Sequence, residues 1–164
     1  MEFRRVSLIG ENSKNLRDVI DITLAEEQEE HIYSAAIALA IDYEFGRKGT
    51  KMECYAMYDG GKIIGLVSYC YYTDDPVFKG ACYRIRPIII DRNHLEKGYE
   101  EAAMLKLLEK VRTLPHGPAT AIYVSHHPEE VDIAAVYKKV GFTKTNLTWE
   151  EEDPSDDLIL SIGL

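Results

Sequence analysis

IIIDRNHLEKGYEEAAMLKLLEKV, residues 88–111, changes character twice. Ile88, Ile89 and Ile90 read as the end of a strand. Ala103, Leu107, Leu108 and Val111 recur at helical spacing, so a helix runs from Gly98 to Val111. Between them lies a turn containing Gly98. A strand, a glycine turn and a helix leave backbone N–H groups free at the helix N-terminus, where an anion is held well. Yet Glu96, Glu100 and Glu101 lie in this turn, and a carboxylate repels a phosphate. Acidic residues in a first helical turn also offset the helix dipole with no ligand present. The turn is a phosphate cradle, an impaired cradle, or only a helix start.

Working outward, the preceding residues ACYRIRPIIID (81–91) form a long strand with Pro87 inside it. Proline cannot donate to a ladder, so this strand is expected to be bulged there or unpaired on one side. ECYAMYDGGKIIGLVSYCYY (53–72) is a hairpin turning at Asp59-Gly60-Gly61, where glycine permits positive φ. FRRVSLI (3–9) reads as a first strand. A short helix follows over ENSKNLRDVIDI, with Asn12 or Ser13 as its cap. From Ala25 to Glu44 there is no Gly or Pro, and Ile32, Ala36, Leu39 and Tyr43 recur at helical spacing. This predicts one second helix, ended by GRKGT. Further along come a loop (TDDPVFKG), a short strand over 120–125, a helix over 129–140 stopped by Gly141, and two closing strands around an acidic turn from Glu150 to Asp157. The order is β α α β β β α β α β β, a mixed α/β chain read as one domain over 1–164.

The chain has 164 residues and a net charge of −9. That balance argues against nucleic acid, whose phosphates attract basic surfaces, and suits a cationic partner. No apolar run approaches the roughly 20 residues of a membrane span. The start, MEFRRVSLIGENSK, lacks a signal-peptide core. Cys54, Cys70 and Cys82 lie in apolar, strand-like text, as reduced core thiols do. A cytoplasmic protein with no membrane partner is expected.

Three segments together carry a resemblance. IAAVYKKVGF (133–142), with a tyrosine near the helix end and Gly-Phe opening the next strand, resembles the penultimate-helix motif of the GNAT superfamily of acyl-CoA-dependent N-acyltransferases. Residues 88–111 resemble its cofactor motif, and YDGGKIIGLVSY (58–69) the hairpin ahead of it. Within the superfamily the chain looks most like bacterial polyamine acetyltransferases, through ITLAEEQEEHIYSAAIALAIDYE and VSHHPEEVDIAAVYKKVGF. The resemblance implies a mostly antiparallel central sheet of about seven strands with about four flanking helices. It implies acetyl-CoA as cofactor and a small amine as acceptor, and it leaves a homodimer open.

The resemblance also assigns residues. The family's turn reads Gln/Arg-x-x-Gly-x-Gly/Ala; here those positions are Leu95, Gly98 and Glu100, so only Gly98 matches. Backbone N–H groups of Glu96, Lys97, Gly98 and Tyr99 would still reach a pyrophosphate, whereas Glu100 brings bulk and the wrong charge. The backbone of Ile88, Ile89 and Ile90 would meet the pantetheine. Glu130 stands where the family often has an asparagine contacting the cofactor. Tyr137 matches the general acid that protonates the leaving thiolate. No base is singled out: Glu26, Glu27, Asp42, Glu44, His126 and His127 are candidates, with His127 preferred of the two histidines. Adjacent histidines on a strand face opposite ways, so no metal site is expected. Glu26, Glu27, Glu29 and Glu30 either hold ammonium groups of a polyamine or form a solvated helix face. The alternative to an enzyme is a GNAT-fold protein that has lost cofactor affinity and serves as a binding or regulatory module.

Overall fold

The computed structural model describes residues 1–8, 10–75, 77–78, 80–149 and 155–164. Its strands are β1 (Glu2–Val6), β2 (Lys51–Asp59), β3 (Lys62–Tyr72), β4 (Cys82–Ile85), β5 (Ile89–Ile90), β6 (Ala121–His126), β7 (Thr143–Lys144) and β8 (Leu158–Gly163). Its helices are α1 (Leu16–Ile20), α2 (Glu26–Glu29), α3 (Ala35–Arg47), α4 (Tyr99–Val111) and α5 (Val131–Lys139). The strands form an open, mostly antiparallel sheet in the order β1-β2-β3-β4-β6-β8-β7, with β5 beside β3. This is the expected mixed α/β architecture. None of the described helices is long and apolar enough to cross a membrane. The chain falls into two compact units: Met1–Tyr69 with Ile88–Tyr99, and Cys70–Pro87 with Glu100–Leu164.

In the first unit, β1 pairs antiparallel with β2. The hairpin β2–β3 turns at Gly60 and Gly61, both with positive φ, as their sequence requires. Val19, Leu24, Leu39, Ala56, Leu66 and Ile89 belong to one buried cluster. Gly65 lies in the middle of β3, where glycine normally weakens a strand. Here a Cβ would stand 2.1 Å from the Ile89 carbonyl oxygen and 2.6 Å from the Met57 methyl, so only glycine admits β5.

In the second unit, β4 pairs parallel with β6 and β6 pairs antiparallel with β8. α4 buries Ala103, Leu107, Leu108 and Val111, the positions that the periodicity marks, and Met104 besides. Past the end of α5, Gly141 takes φ +105, and Phe142 N–H then donates to Tyr137 O at 2.9 Å.

Several expectations need correction. The strand over 81–91 is two pieces: Arg86, Pro87 and Ile88 separate β4 from β5. Among the described residues β5 pairs with β3 alone, which is the one-sided pairing that Pro87 foretold. The helix over 25–44 is broken, because Ser34 Oγ accepts from Ile37 N–H at 3.4 Å and caps a separate α3. Neither Asn12 nor Ser13 caps α1. Ser13 lies in a 3₁₀ turn and donates its hydroxyl to Gly10 O. The strand after Gly141 is only β7, two residues long. The first strand stops at Val6, and Ile9 lies outside the described residues. So do Pro76 and Lys79 of the loop, and residues 150–154 of the acidic turn. The three cysteines are buried free thiols, and burial pushes Cys82 up to about 12.

Candidate active site

The turn of residues 95–101 starts where Asp91 caps a short 3₁₀ turn, Arg92–His94. The chain then takes positive φ at Glu96 (60°) and Gly98 (73°) before α4 begins at Tyr99. Alternating handedness of this kind turns successive N–H groups to one side. Among the described residues, none of the N–H groups from Glu96 to Glu100 donates to a group outside α4. Lys97 Nζ donates back to Asn93 O at 2.7 Å, and Tyr99 hydroxyl to Asp59 Oδ2 at 2.7 Å. Past the start of α4, Glu101 pairs with Lys139 of α5 at 2.7 Å, whereas Glu100 forms no ion pair with any described residue.

The strand leading to the turn is tied to the segment before α2. Buried Asp91 accepts from Thr23 N–H at 3.0 Å and from Asn93 N–H at 3.0 Å, while Arg92 N–H donates to Thr23 O at 2.8 Å. Burial raises the Asp91 pKa, but these hydrogen bonds outweigh it and hold the carboxyl below its ordinary range. Gln28 donates to Ile90 O at 3.2 Å and accepts from Ala25 N–H at 2.9 Å. Sequence reasoning missed this knot, although Asp91-x-Asn93 and Ala25-x-x-Gln28 are both local capping patterns. Ile88, Ile89 and Ile90 are all buried.

Tyr137 is buried on the last turn of α5, with its ring 6.0 Å from His126 and 5.8 Å from Phe142. Its hydroxyl has no hydrogen-bond partner among the described residues. Burial pushes its pKa up strongly, Glu130 and Asp157 add to the rise, and Arg84 offsets part of it. It therefore stays a phenol throughout the neutral range. Glu130 is the N-cap residue of α5, and its Oε2 accepts from His127 N–H at 2.7 Å. His126 Nδ1 lies 2.7 Å from His127 O, and His127 Nδ1 accepts from Glu129 N–H at 3.3 Å.

The family model for the acetyltransferase (GNAT) family matches residues 16–142. The chain belongs to that family. Solved structures of similar fold include a Vibrio cholerae spermidine N-acetyltransferase in complex with CoA and spermine. It is 16% identical, with a TM-score of 0.68 over 99% of this chain and 94% of that one. A Bacillus subtilis acetyltransferase in complex with CoA is 19% identical, with a TM-score of 0.60 over 99% of each chain. The GNAT domain of S. lividans PAT is 14% identical, with a TM-score of 0.68 over 99% of this chain and 89% of that one. At such identities the likeness shows the fold. No curated protein sequence matches the chain.

GNAT acetyltransferases use acetyl-CoA, and this chain's turn fits such a group in one respect and resists it in another. The N–H groups of residues 96–100 and the N-terminus of the 13-residue α4 suit a pyrophosphate. The Glu100 carboxylate opposes it. The acceptor-side candidates are dispersed in character. Glu26, Glu27, Glu29 and Glu30 are exposed on or beside α2. Glu44 pairs with Arg47 at 3.2 Å and Lys48 at 3.8 Å on the surface of α3. Asp42 is buried and accepts from the Cys54 thiol at 3.0 Å.

Proposed function

We propose that this GNAT protein is an acetyl-CoA-dependent N-acetyltransferase acting on a primary amine of a small molecule. The observation that carries the reading is the strand-to-helix passage: β5 pairs on one side only among the described residues, and the turn after it offers N–H groups from Glu96 to Glu100. Acetyl-CoA supplies a thioester-activated acetyl group. In this reading those N–H groups bind the pyrophosphate, and the backbone of Ile88 meets the pantetheine, whereas Ile89 is paired with Leu66 of β3. Ile90 contributes through its N–H, since its carbonyl already accepts from Gln28. Tyr137 holds a proton at Oη for the leaving thiolate. Glu130 positions the strand-to-helix link beside it through His127 N–H.

The exposed acids Glu26, Glu27, Glu29 and Glu30 and the net charge of −9 support an acceptor with several positive charges, of the polyamine kind. The same charge argues against nucleic acid, and three buried thiols support a cytoplasmic setting. One observation favours the non-catalytic reading: Glu100, in the first turn of α4, keeps a carboxylate that no described residue pairs. Calorimetric titration with acetyl-CoA, followed by a thiol-release assay with spermidine and other amines, separates the two. Saturable binding with acceptor-dependent release supports the enzyme. Binding without release, or none at all, refutes it.

A further inference from the structure

The second unit holds a cation that the proposed reaction leaves without a task. Arg84 lies on β4 opposite Tyr123 of β6. Its guanidinium stands 4.6 Å from the centroid of the Trp149 indole and 5.9 Å from that of Phe78. Nη2 donates to the buried Ser125 Oγ at 3.4 Å, a long bond. No carboxylate of a described residue lies within ion-pair distance of it, in a chain with 28 Asp and Glu against 19 Lys and Arg. Asp75 favours its charge from a distance, but Asp75 Oδ1 already accepts from Val77 and Phe78 N–H at 2.9 and 3.1 Å. Burial, with the repulsion of Arg86 added, lowers the Arg84 pKa.

The surroundings are held in place. Asp75 fixes the turn that carries Phe78, and Phe78 stacks on Tyr123 at 4.5 Å. Trp149 meets Phe78 edge-on at 6.2 Å and anchors its Nε1–H on Asp157 O at 3.0 Å. Aromatic faces satisfy the plane of a guanidinium, not the five N–H donors in that plane. Among the described residues only one of those donors has a protein acceptor. A planar fork with free donors, walled by aromatic rings and partly withdrawn from water, matches a carboxylate bidentately. Its charge reaches Tyr137, where it opposes the rise in that phenol's pKa.

We propose that Arg84, framed by Phe78, Trp149 and Ser125, binds the carboxylate of the acceptor, so that the acceptor is amino-acid-like and carries an oxyanion besides its reacting amine. The word acceptor rests on the acetyltransferase reading; the carboxylate site stands on the Arg84 surroundings alone. A plain polyamine offers Arg84 nothing, whereas a diamino acid suits both this site and an acidic surface.

Trp149 is the only tryptophan of the chain, so its fluorescence reports occupancy directly. The probes are L-lysine, L-methionine and L-phenylalanine, each against the amine that lacks its carboxylate: cadaverine, 3-(methylthio)propylamine and phenethylamine. At least one amino acid should change the fluorescence saturably and bind more tightly than its amine. Arg84→Met should weaken that binding roughly 10–100-fold, the value of a charge-assisted pair of hydrogen bonds. Arg84→Lys, which keeps the charge and loses the fork, should fall between them and serves where Arg84→Met fails a thermal-melt test of folding. Acetyl-CoA affinity, measured on the same proteins, should not change, and it tests the acetyltransferase reading separately. The proposal is overturned if no amino acid gives a saturable response. It is equally overturned if the amines bind as well as the amino acids, or if the folded Arg84 variants bind like the parent.

Discussion

Gly65→Ala tests the strand arrangement on which the cofactor reading depends. The added methyl would stand 2.1 Å from the Ile89 carbonyl oxygen, where ordinary contact begins near 3.4 Å, and 2.6 Å from the Met57 methyl. Met57 can turn aside at small cost. The Ile89 oxygen is backbone and moves only if β5 moves. β5 must retreat by about 1 Å or more, which strains the pairs Gly65↔Ile90 and Leu66↔Ile89. Overpacking costs about 1–3 kcal/mol, and each weakened ladder bond roughly 0.5–1.5 kcal/mol. Partial relaxation leaves an expected loss of about 2–4 kcal/mol. At roughly 2–4 °C per kcal/mol for a chain of this size, the melting temperature should fall by about 5–15 °C. Because β5 leads into the turn at residues 95–101, acetyl-CoA affinity should fall as well. Urea and thermal melts measure the first effect and calorimetry the second. A loss under about 1 kcal/mol would mean that β5 does not cross Gly65 as described, and the one-sided pairing of β5 would go with it.

Tyr137→Phe should lower turnover by about 10²–10⁴-fold with acetyl-CoA affinity nearly unchanged, since the hydroxyl acts only on the leaving thiolate; equal turnover removes Tyr137 from the mechanism. Glu100→Ala should tighten acetyl-CoA binding by removing an unpaired carboxylate beside the expected pyrophosphate, at a loss of roughly 0.3–1 kcal/mol of helix-dipole stabilisation in the free protein. Titration and melting read these two effects independently, and weaker binding would refute the repulsion argument. Asp91 has a folded pKa below its unfolded one, so its ionised form stabilises the fold above the ordinary carboxyl range and this contribution is lost as pH falls through the folded value. The stability gap between the parent and Asp91→Asn should therefore be widest near neutral pH and shrink as pH falls below the ordinary carboxyl range; a gap independent of pH would show that the charge is not what holds Thr23 and Asn93.

The parts of this fold that are legible in the sequence are those whose cause lies within a few residues. The β2–β3 hairpin shows in alternation and in Asp59-Gly60-Gly61, and the interrupted strand shows in Pro87. The break between α2 and α3 is equally local, since Ser34 stands as a ready cap between Ile32 and Ala36, but a long run without Gly or Pro masks it. Contacts across the chain are another matter. Gln28 reaches Ile90, 62 residues away, and nothing in either segment announces the other. Arg84 reads as one polar position in an alternating strand until Phe78 and Trp149 arrive from separate loops. Glu100 and Glu101, the two glutamates of the turn that open α4, lie between these cases. Their charge is plain in the sequence, their direction is not, and direction decides what they do to a phosphate. Once α4 is known to begin at Tyr99, adjacent residues diverge by about 100° around its axis. Glu101 then faces α5 and is neutralised by Lys139, while Glu100 points elsewhere with its charge intact. Of the two glutamates that open α4, one is thereby left to oppose a phosphate, which is why a single substitution can test its share.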